Sequence, residues 1–130
     1  MEIKKIKKDI LLKNGLIYDP YSNKKKKSTI YIKNGFIECI GNIPISENMK
    51  VIDCSGMIVS PGFIDIHSHF QTPGVGDQET LISGSNAALS GGYSKVCVMP
   101  NTNPIIDTPE LVDFIIDEAR KLPVDIYPIG

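Results

Sequence analysis

The sequence predicts an α/β protein whose second half contributes to a parallel sheet. From residue 60 onward, strand-like and helix-like segments alternate in the order strand, helix, strand, helix, strand, which is typical of βαβ units. Residues 1–59 instead contain short strand patterns separated by turns. We therefore predict a separate small sheet unit over residues 1–59. Residues 60–130 are predicted to form the first three β/α units of a (β/α)8 (TIM) barrel. Since such a barrel needs roughly 250 residues, we expect an N-terminal fragment of a longer protein.

The first part is predicted to be a small antiparallel sheet. Asn14-Gly15 and Asn34-Gly35 each stand between apolar runs, and Asn-Gly is a strong signal for a β-hairpin turn. The basic run Lys24–Lys27 is interpreted as a solvated turn, because no wider basic face accompanies it to bind nucleic acid. The predicted strands are Ile10–Lys13, Leu16–Tyr18, Thr29–Lys33, Phe36–Ile40, Val51–Asp53 and Met57–Val59.

The second part is predicted to contain two buried strands, a third short strand and two helices. Thr108 is a good helix N-cap because Pro109 follows at the first helical position. Leu111, Ile115, Ala119 and Leu122 then mark one apolar helical face. The predicted strands are Phe63–Ser68, Lys95–Met99 and Val124–Pro128, and the other helix spans Thr80–Ser90.

Composition indicates an ordinary soluble globular protein. Of the 130 residues 42% are hydrophobic, and the net charge of −1 favours neither a nucleic-acid nor a membrane partner. No apolar run is long enough to span a bilayer. The three cysteines are irregularly spaced and form no disulfide framework, so we expect a reducing, cytoplasmic setting.

His67 and His69, the only two histidines, are the candidate metal ligands. Residues i and i+2 of a strand point to the same face, and their Cα atoms would lie about 6.6 Å apart. The alternative is a solvated pair on a loop. A catalytic zinc normally takes three protein ligands, so the site looks half built. Asp65 shares the predicted face and could be a ligand or a residue that orients one.

Two asparagines follow the second predicted barrel strand. The carboxyl ends of barrel strands carry the active site, which places Asn101 and Asn103 near the histidines. Their amides could donate hydrogen bonds to a carboxylate or an imide carbonyl. The alternative is that they only cap a turn, as asparagines beside proline often do.

Three motifs together resemble the dihydroorotases of the cyclic amidohydrolase superfamily: PGFIDIHSHF, then TPG, then GSNAALSGGYSKVCVMPNTNPIIDTPE. The His-x-His element alone indicates the superfamily, whereas MPNTNP is more specific. The resemblance implies that His67 and His69 bind one or two zinc ions and that Asn101 contacts the carboxylate of dihydroorotate. It implies that residues 1–59 are a flanking β-sandwich segment beside the barrel. It also implies reversible cyclisation of N-carbamoyl-L-aspartate in pyrimidine biosynthesis. The remaining ligands and the general base are expected beyond Gly130, so the chain alone should be inactive.

One position departs from the family pattern. Gln71 stands where the family usually has Arg, and Thr72 stands where Glu is usual. Gln71 is a candidate substrate-binding residue, but it lacks the charge of an Arg that would pair with a carboxylate. The alternatives are another cyclic amidohydrolase, acting on a dihydropyrimidine, a hydantoin or allantoin, or a non-catalytic scaffold for aspartate transcarbamoylase. A homo-oligomer or an association with that transcarbamoylase is the expected protein partner.

Overall fold

The computed structural model describes residues 9–74 and 79–129. These fall into two compact units, one ending at Pro61 and the other starting at Gly62. Neither helix in the described residues is long and apolar enough to cross a membrane.

The first unit is built on one five-stranded sheet. Its strand order is β3-β2-β1-β4, and β5 pairs with a different stretch of β1. Leu11, Ile30 and Cys54 are the buried apolar residues on these strands and the turn after β4. The strands are β1 (Asp9–Asp19), β2 (Lys24–Lys33), β3 (Phe36–Gly41), β4 (Met49–Asp53) and β5 (Ile58–Val59).

The predicted antiparallel pairing is correct for only half of this sheet. β1 and β2 are antiparallel, as are β2 and β3, but β4 and β5 both run parallel to β1. The predicted hairpin at Asn14-Gly15 is wrong. Asn14 has a φ of 63°, yet the chain continues as one strand through a register shift between Leu12 and Gly15. A Cβ at Gly15 would lie 2.6 Å from Val59 Cγ2, so the glycine permits the close approach of β5.

The other hairpin prediction is confirmed. Asn34 and Gly35 have φ values of 51° and 86° and connect β2 to β3. Lys24–Lys27, in contrast, is not a turn: these residues begin β2 and pair with Leu16–Asp19, while their side chains remain exposed. The sequence signal failed because exposed lysines suit a solvated strand face as well as a turn.

The second unit is a three-stranded parallel sheet with two helices. Its strand order is β6-β7-β8. The elements are β6 (Phe63–Ser68), α1 (Leu81–Ser90), β7 (Tyr93–Val98), α2 (Pro109–Ala119) and β8 (Asp125–Pro128). The predicted alternation of strands and helices is confirmed.

Both helices begin where side chains satisfy their first backbone N–H groups. Thr80 accepts from the backbone of Ser83 at 3.1 Å, and Ser83 Oγ accepts from the Thr80 N–H at 2.8 Å, which forms a capping box. Thr108 caps α2 and Pro109 occupies its first turn, as predicted.

The core of the second unit lies between the helices and one face of the sheet. On the predicted face of α2, Ile115 and Ala119 are buried and Leu111 and Leu122 are half-buried. The buried core residues are Phe70, Leu81, Val96, Val98, Ile106, Ile115, Ala119, Val124 and Ile126. The core cluster thus joins residues of both helices, β7, β8 and the segments that follow β6 and β7.

The prediction that β6 is a buried strand is wrong for its apolar side chains. Phe63 and Ile64 are each 58% exposed and Ile66 is 74% exposed. β6 is an edge strand of this sheet, and Phe63 stays more than half exposed even though its ring packs edge-on against Tyr93. Apolar sequence was therefore a correct signal for the strand but not for its burial within these residues.

Ile115→Ala should lower the free energy of unfolding by about 2–5 kcal/mol, because the side chain is fully buried and its removal leaves a cavity. Ile82→Ala is the matched control, since Ile82 lies in α1 and is 63% exposed. Its cost should stay near 0.5 kcal/mol or below, roughly. Urea unfolding of both variants measures the difference, and equal costs would contradict this description of the core.

Candidate metal and substrate site

The candidate residues meet where two parallel strands end side by side. Ser68 at the end of β6 pairs with Val98 at the end of β7. The Ser68 hydroxyl donates to the Cys97 carbonyl at 3.0 Å, and the Met99 N–H donates to the Ser68 carbonyl at 2.9 Å. Loops that leave the same edge of a parallel sheet commonly build a ligand site.

His67 and His69 bring their rings together at this edge. Their Nε2 atoms are 3.2 Å apart, and the ring planes meet at 63°. Two nitrogens held at about 2.0–2.1 Å from a tetrahedral zinc ion lie about 3.3–3.4 Å apart. Both side chains are exposed. The pair therefore fits two corners of a zinc site, although His69 lies one residue beyond the end of β6.

Asn101 lies beside His69. Its Oδ1 atom is 2.8 Å from His69 Nδ1, across 32 residues of sequence. An amide oxygen can only accept a hydrogen bond, so His69 Nδ1 is the donor, and in the neutral ring the lone pair is then on Nε2. The sequence had suggested this asparagine for its amide donors, and the structure adds an acceptor contact that local sequence does not reveal.

Asp65 contacts backbone. Its carboxylate accepts a hydrogen bond from the His67 backbone N–H at 3.0 Å. The half-buried side chain also lines a cavity of about 240 Å³ together with Phe70, Glu79 and Gly84. In this arrangement Asp65 fixes the backbone at the end of β6.

Gln71 begins the turn that follows the histidines. Its backbone N–H donates to the Glu79 carbonyl at 2.6 Å, which ties this turn to the start of α1. A Cβ at Gly74 would lie 2.4 Å from the Gln71 carbonyl oxygen, so the turn requires glycine there. Gln71 follows His69 by two residues, and this backbone hydrogen bond holds its main chain in place.

Lys95 does not supply the positive charge that Gln71 lacks. Lys95 lies near the start of β7, away from the strand end that carries the site, and its Nζ is 2.8 Å from Asp125 Oδ2 and 3.2 Å from the Tyr127 hydroxyl. The hydrogen bonds to Asp125 and then to Tyr127 raise the Lys95 pKa. A cation that balances a substrate carboxylate would have to come from elsewhere.

Thr102 anchors the loop that carries Asn101, a role that the sequence motifs did not single out. It is only 7% exposed, and its hydroxyl donates to the Pro104 carbonyl at 2.6 Å. The N–H groups of Thr102 and Ile106 both donate to the Pro100 carbonyl, at 2.8 and 3.1 Å. A hydroxyl residue between two prolines that supply no N–H donor was the available signal.

Residues 9–74 and 79–129 contain no group of three or more histidine, cysteine or carboxylate side chains that could hold a metal ion. Within this part of the chain, the two histidines therefore form an incomplete ligand set for a catalytic zinc.

Solved structures of cyclic amidohydrolases share this fold and define the class of protein. A D-hydantoinase matches 92% of this chain with a TM-score of 0.74 and 27% identity, over 26% of its own length. An L-hydantoinase (dihydropyrimidinase) from Arthrobacter aurescens matches 95% with a TM-score of 0.74 and 26% identity, over 28% of its length. More narrowly, a family model described as dihydro-orotase-like matches residues 56–128. The chain belongs to the dihydro-orotase-like family.

Curated relatives carry the same family name. Dihydroorotases from Solibacter usitatus and Clostridium acetobutylicum are each 41% identical over 122 residues, which is 93% of this chain. The matched segment covers 28% and 29% of those two proteins. The chain therefore spans less than a third of the length of the curated relatives it matches.

Thr102→Val should destabilise the loop by about 1–3 kcal/mol, because it keeps the side-chain shape but leaves the Pro104 carbonyl without its donor. Thr102→Ser keeps the hydroxyl and loses one methyl group, a cost of about 0.8 kcal/mol. Urea unfolding compares the two variants. A serine variant as unstable as the valine variant would show that the hydroxyl does not anchor the loop.

Proposed function

We propose that this chain is part of a zinc-dependent dihydroorotase, which catalyses the reversible cyclisation of N-carbamoyl-L-aspartate to dihydroorotate in pyrimidine biosynthesis. The observation that carries the proposal is the 3.2 Å approach of two imidazole Nε2 atoms at a strand end, in a chain of the dihydro-orotase-like family. The names of the curated relatives support the substrate. The hydantoinase structures support the broader class of cyclic amide hydrolases.

The proposed architecture is a (β/α)8 barrel with a flanking β-sandwich. Strands β6, β7 and β8 would be its first three barrel strands, and the five-stranded sheet would be one layer of the sandwich. The exposed apolar side chains of Phe63, Ile64 and Ile66 support this proposal, because further strands and their side chains would cover them. The remaining metal ligands and the general base would then come from outside these 130 residues, and the chain alone would be inactive.

His67 and His69 would hold the zinc, as one or two ions, through Nε2. When bound, zinc supplies a Lewis acid for the amide carbonyl and lowers the pKa of a bound water. The protein's own contribution is to hold the two imidazole Nε2 atoms 3.2 Å apart at one strand end. Asn101 Oδ1 lies 2.8 Å from the other ring nitrogen of His69.

Asn101 and Gln71 would bind the substrate carboxylate. With the Asn101 oxygen directed at His69, its two N–H groups are the part of the amide that can donate to an anion. Gln71 would add neutral donors from the turn after the histidines. A cation from outside this chain would replace the Arg that the family usually has, since Lys95 is paired with Asp125.

Two alternative functions for this chain are a different cyclic amidohydrolase and a non-catalytic scaffold. Gln71 and the hydantoinase-like fold favour a cyclic amidohydrolase that acts on an uncharged ring. A non-catalytic scaffold for aspartate transcarbamoylase is disfavoured, because such a subunit has no need of His67 and His69.

We propose a cytoplasmic protein that associates with another copy of itself or with that transcarbamoylase.

His67→Ala or His69→Ala, made in the product of the complete reading frame, should abolish tight zinc binding, because each change removes one of the two convergent nitrogens. Metal analysis after dialysis measures this loss. Asn86→Ala, an exposed change on α1, is the control and should keep the wild-type metal content. Full zinc occupancy in both histidine variants would refute the metal assignment.

The substrate is tested by the ratio of kcat/KM for dihydroorotate to kcat/KM for an uncharged dihydropyrimidine. We expect the wild type to favour dihydroorotate. Gln71→Arg should raise the ratio, by up to about 10- to 100-fold, since a charged fork adds hydrogen bonds to the carboxylate. Gln71→Lys adds charge without the fork and should raise it less. A wild-type preference for the uncharged ring that Gln71→Arg reverses would favour the alternative enzyme.

A further inference from the structure

We propose that Asn101 is a positioning residue for the metal ligand His69 as well as a substrate contact, so that one amide couples the two sites. The proposal rests on the metal role given above to the histidine pair. It assigns the two ends of one side chain to different tasks, the oxygen to His69 and the nitrogen to a substrate anion.

The contact with Asn101 determines which ring nitrogen of His69 donates a hydrogen bond. The 2.8 Å contact joins Asn101 Oδ1 to His69 Nδ1, and only a protonated Nδ1 makes this a hydrogen bond. In the neutral ring the lone pair is then on Nε2, the atom that lies 3.2 Å from His67 Nε2. A metal-binding histidine usually donates its other N–H to an acceptor that fixes its tautomer and ring orientation. Asn101 Oδ1 is such an acceptor for His69.

Hydrogen bonds hold the loop that carries Asn101 on both sides of this residue. The Met99 N–H bonds to the Ser68 carbonyl, which joins the start of the Asn101 loop to the end of β6. On the other side, buried Thr102 bonds to the Pro104 carbonyl. Asn101 is thus held between two backbone anchors, and its Oδ1 atom lies 2.8 Å from His69 Nδ1.

The Asn101 amide has an acceptor end and a donor end. Because Oδ1 faces the imidazole, Nδ2 and its two hydrogens lie on the other arm of the planar amide. A substrate carboxylate bound there would hold the same side chain that orients His69. Within residues 9–74 and 79–129, Asp65 bonds to the His67 backbone N–H, so the acceptor for the His69 ring comes from the loop after β7 and not from β6.

The experiment measures zinc affinity by chelator competition in the product of the complete reading frame, with Asn101→Ala, Asn101→Asp and the control Asn86→Ala. Asn101→Asp keeps an acceptor for His69 but has no N–H donors. We expect Asn101→Ala to bind zinc about 10- to 100-fold more weakly, and Asn101→Asp and the control to stay within about threefold of wild type. Asn101→Asp should still weaken dihydroorotate binding, seen as a raised KM.

Three other results of this experiment would each contradict the proposal in a different way. Wild-type zinc affinity in both Asn101 variants would limit Asn101 to the substrate and overturn the proposal. Equal losses in the alanine and aspartate variants would also overturn it, because the acceptor would then not be what matters. A wild-type protein that binds no zinc would refute the proposed metal site, and this inference with it. Circular dichroism confirms folding of each variant, and Asn101→Asp tests the acceptor even where the alanine variant is poorly folded.

Discussion

The parallel pairing of β6 with β7 is the constraint on which the site depends. Ser68 is the contact point, since it binds Cys97 through its hydroxyl and Met99 through its carbonyl. These bonds fix the level at which both strands end. A shift of one residue would reverse the direction of each side chain and separate His69 from Asn101. The contact between Asn101 and His69 follows from this register.

Local sequence predicted the features that depend on neighbouring residues. The N-cap at Thr108, the apolar face around Ile115 and the turn at Asn34-Gly35 are governed by contacts within a few positions, and all three were correct. Asn14-Gly15 carries the same turn signal, but β5 pairs beside it and the chain stays extended. Strand direction for β4 and β5 also depends on distant partners, and periodicity carries no information about such pairing.

The candidate site was predictable in its residue types and less so in its contacts. His-x-His placed two imidazoles on one strand end because the spacing is local. The hydrogen bond between Asn101 and His69 joins residues 32 positions apart and depends on the strand register. The sequence alone therefore predicted only a contact between the Asn101 amide and a substrate. Thr102 was overlooked because its importance comes from burial and from the two carbonyls that its hydroxyl and N–H reach.

Gly84 is a position in α1 where a substitution would affect the packing next to the candidate site. Its Cα side faces the ring of Phe70, and a Cβ there would lie 2.4 Å from a ring carbon. Phe70 is the residue after His69, and it is buried in the core beneath α1. A methyl group at position 84 would therefore require the Phe70 ring to shift. The packing of the residue next to His69 thus restricts which side chains this position of α1 can carry.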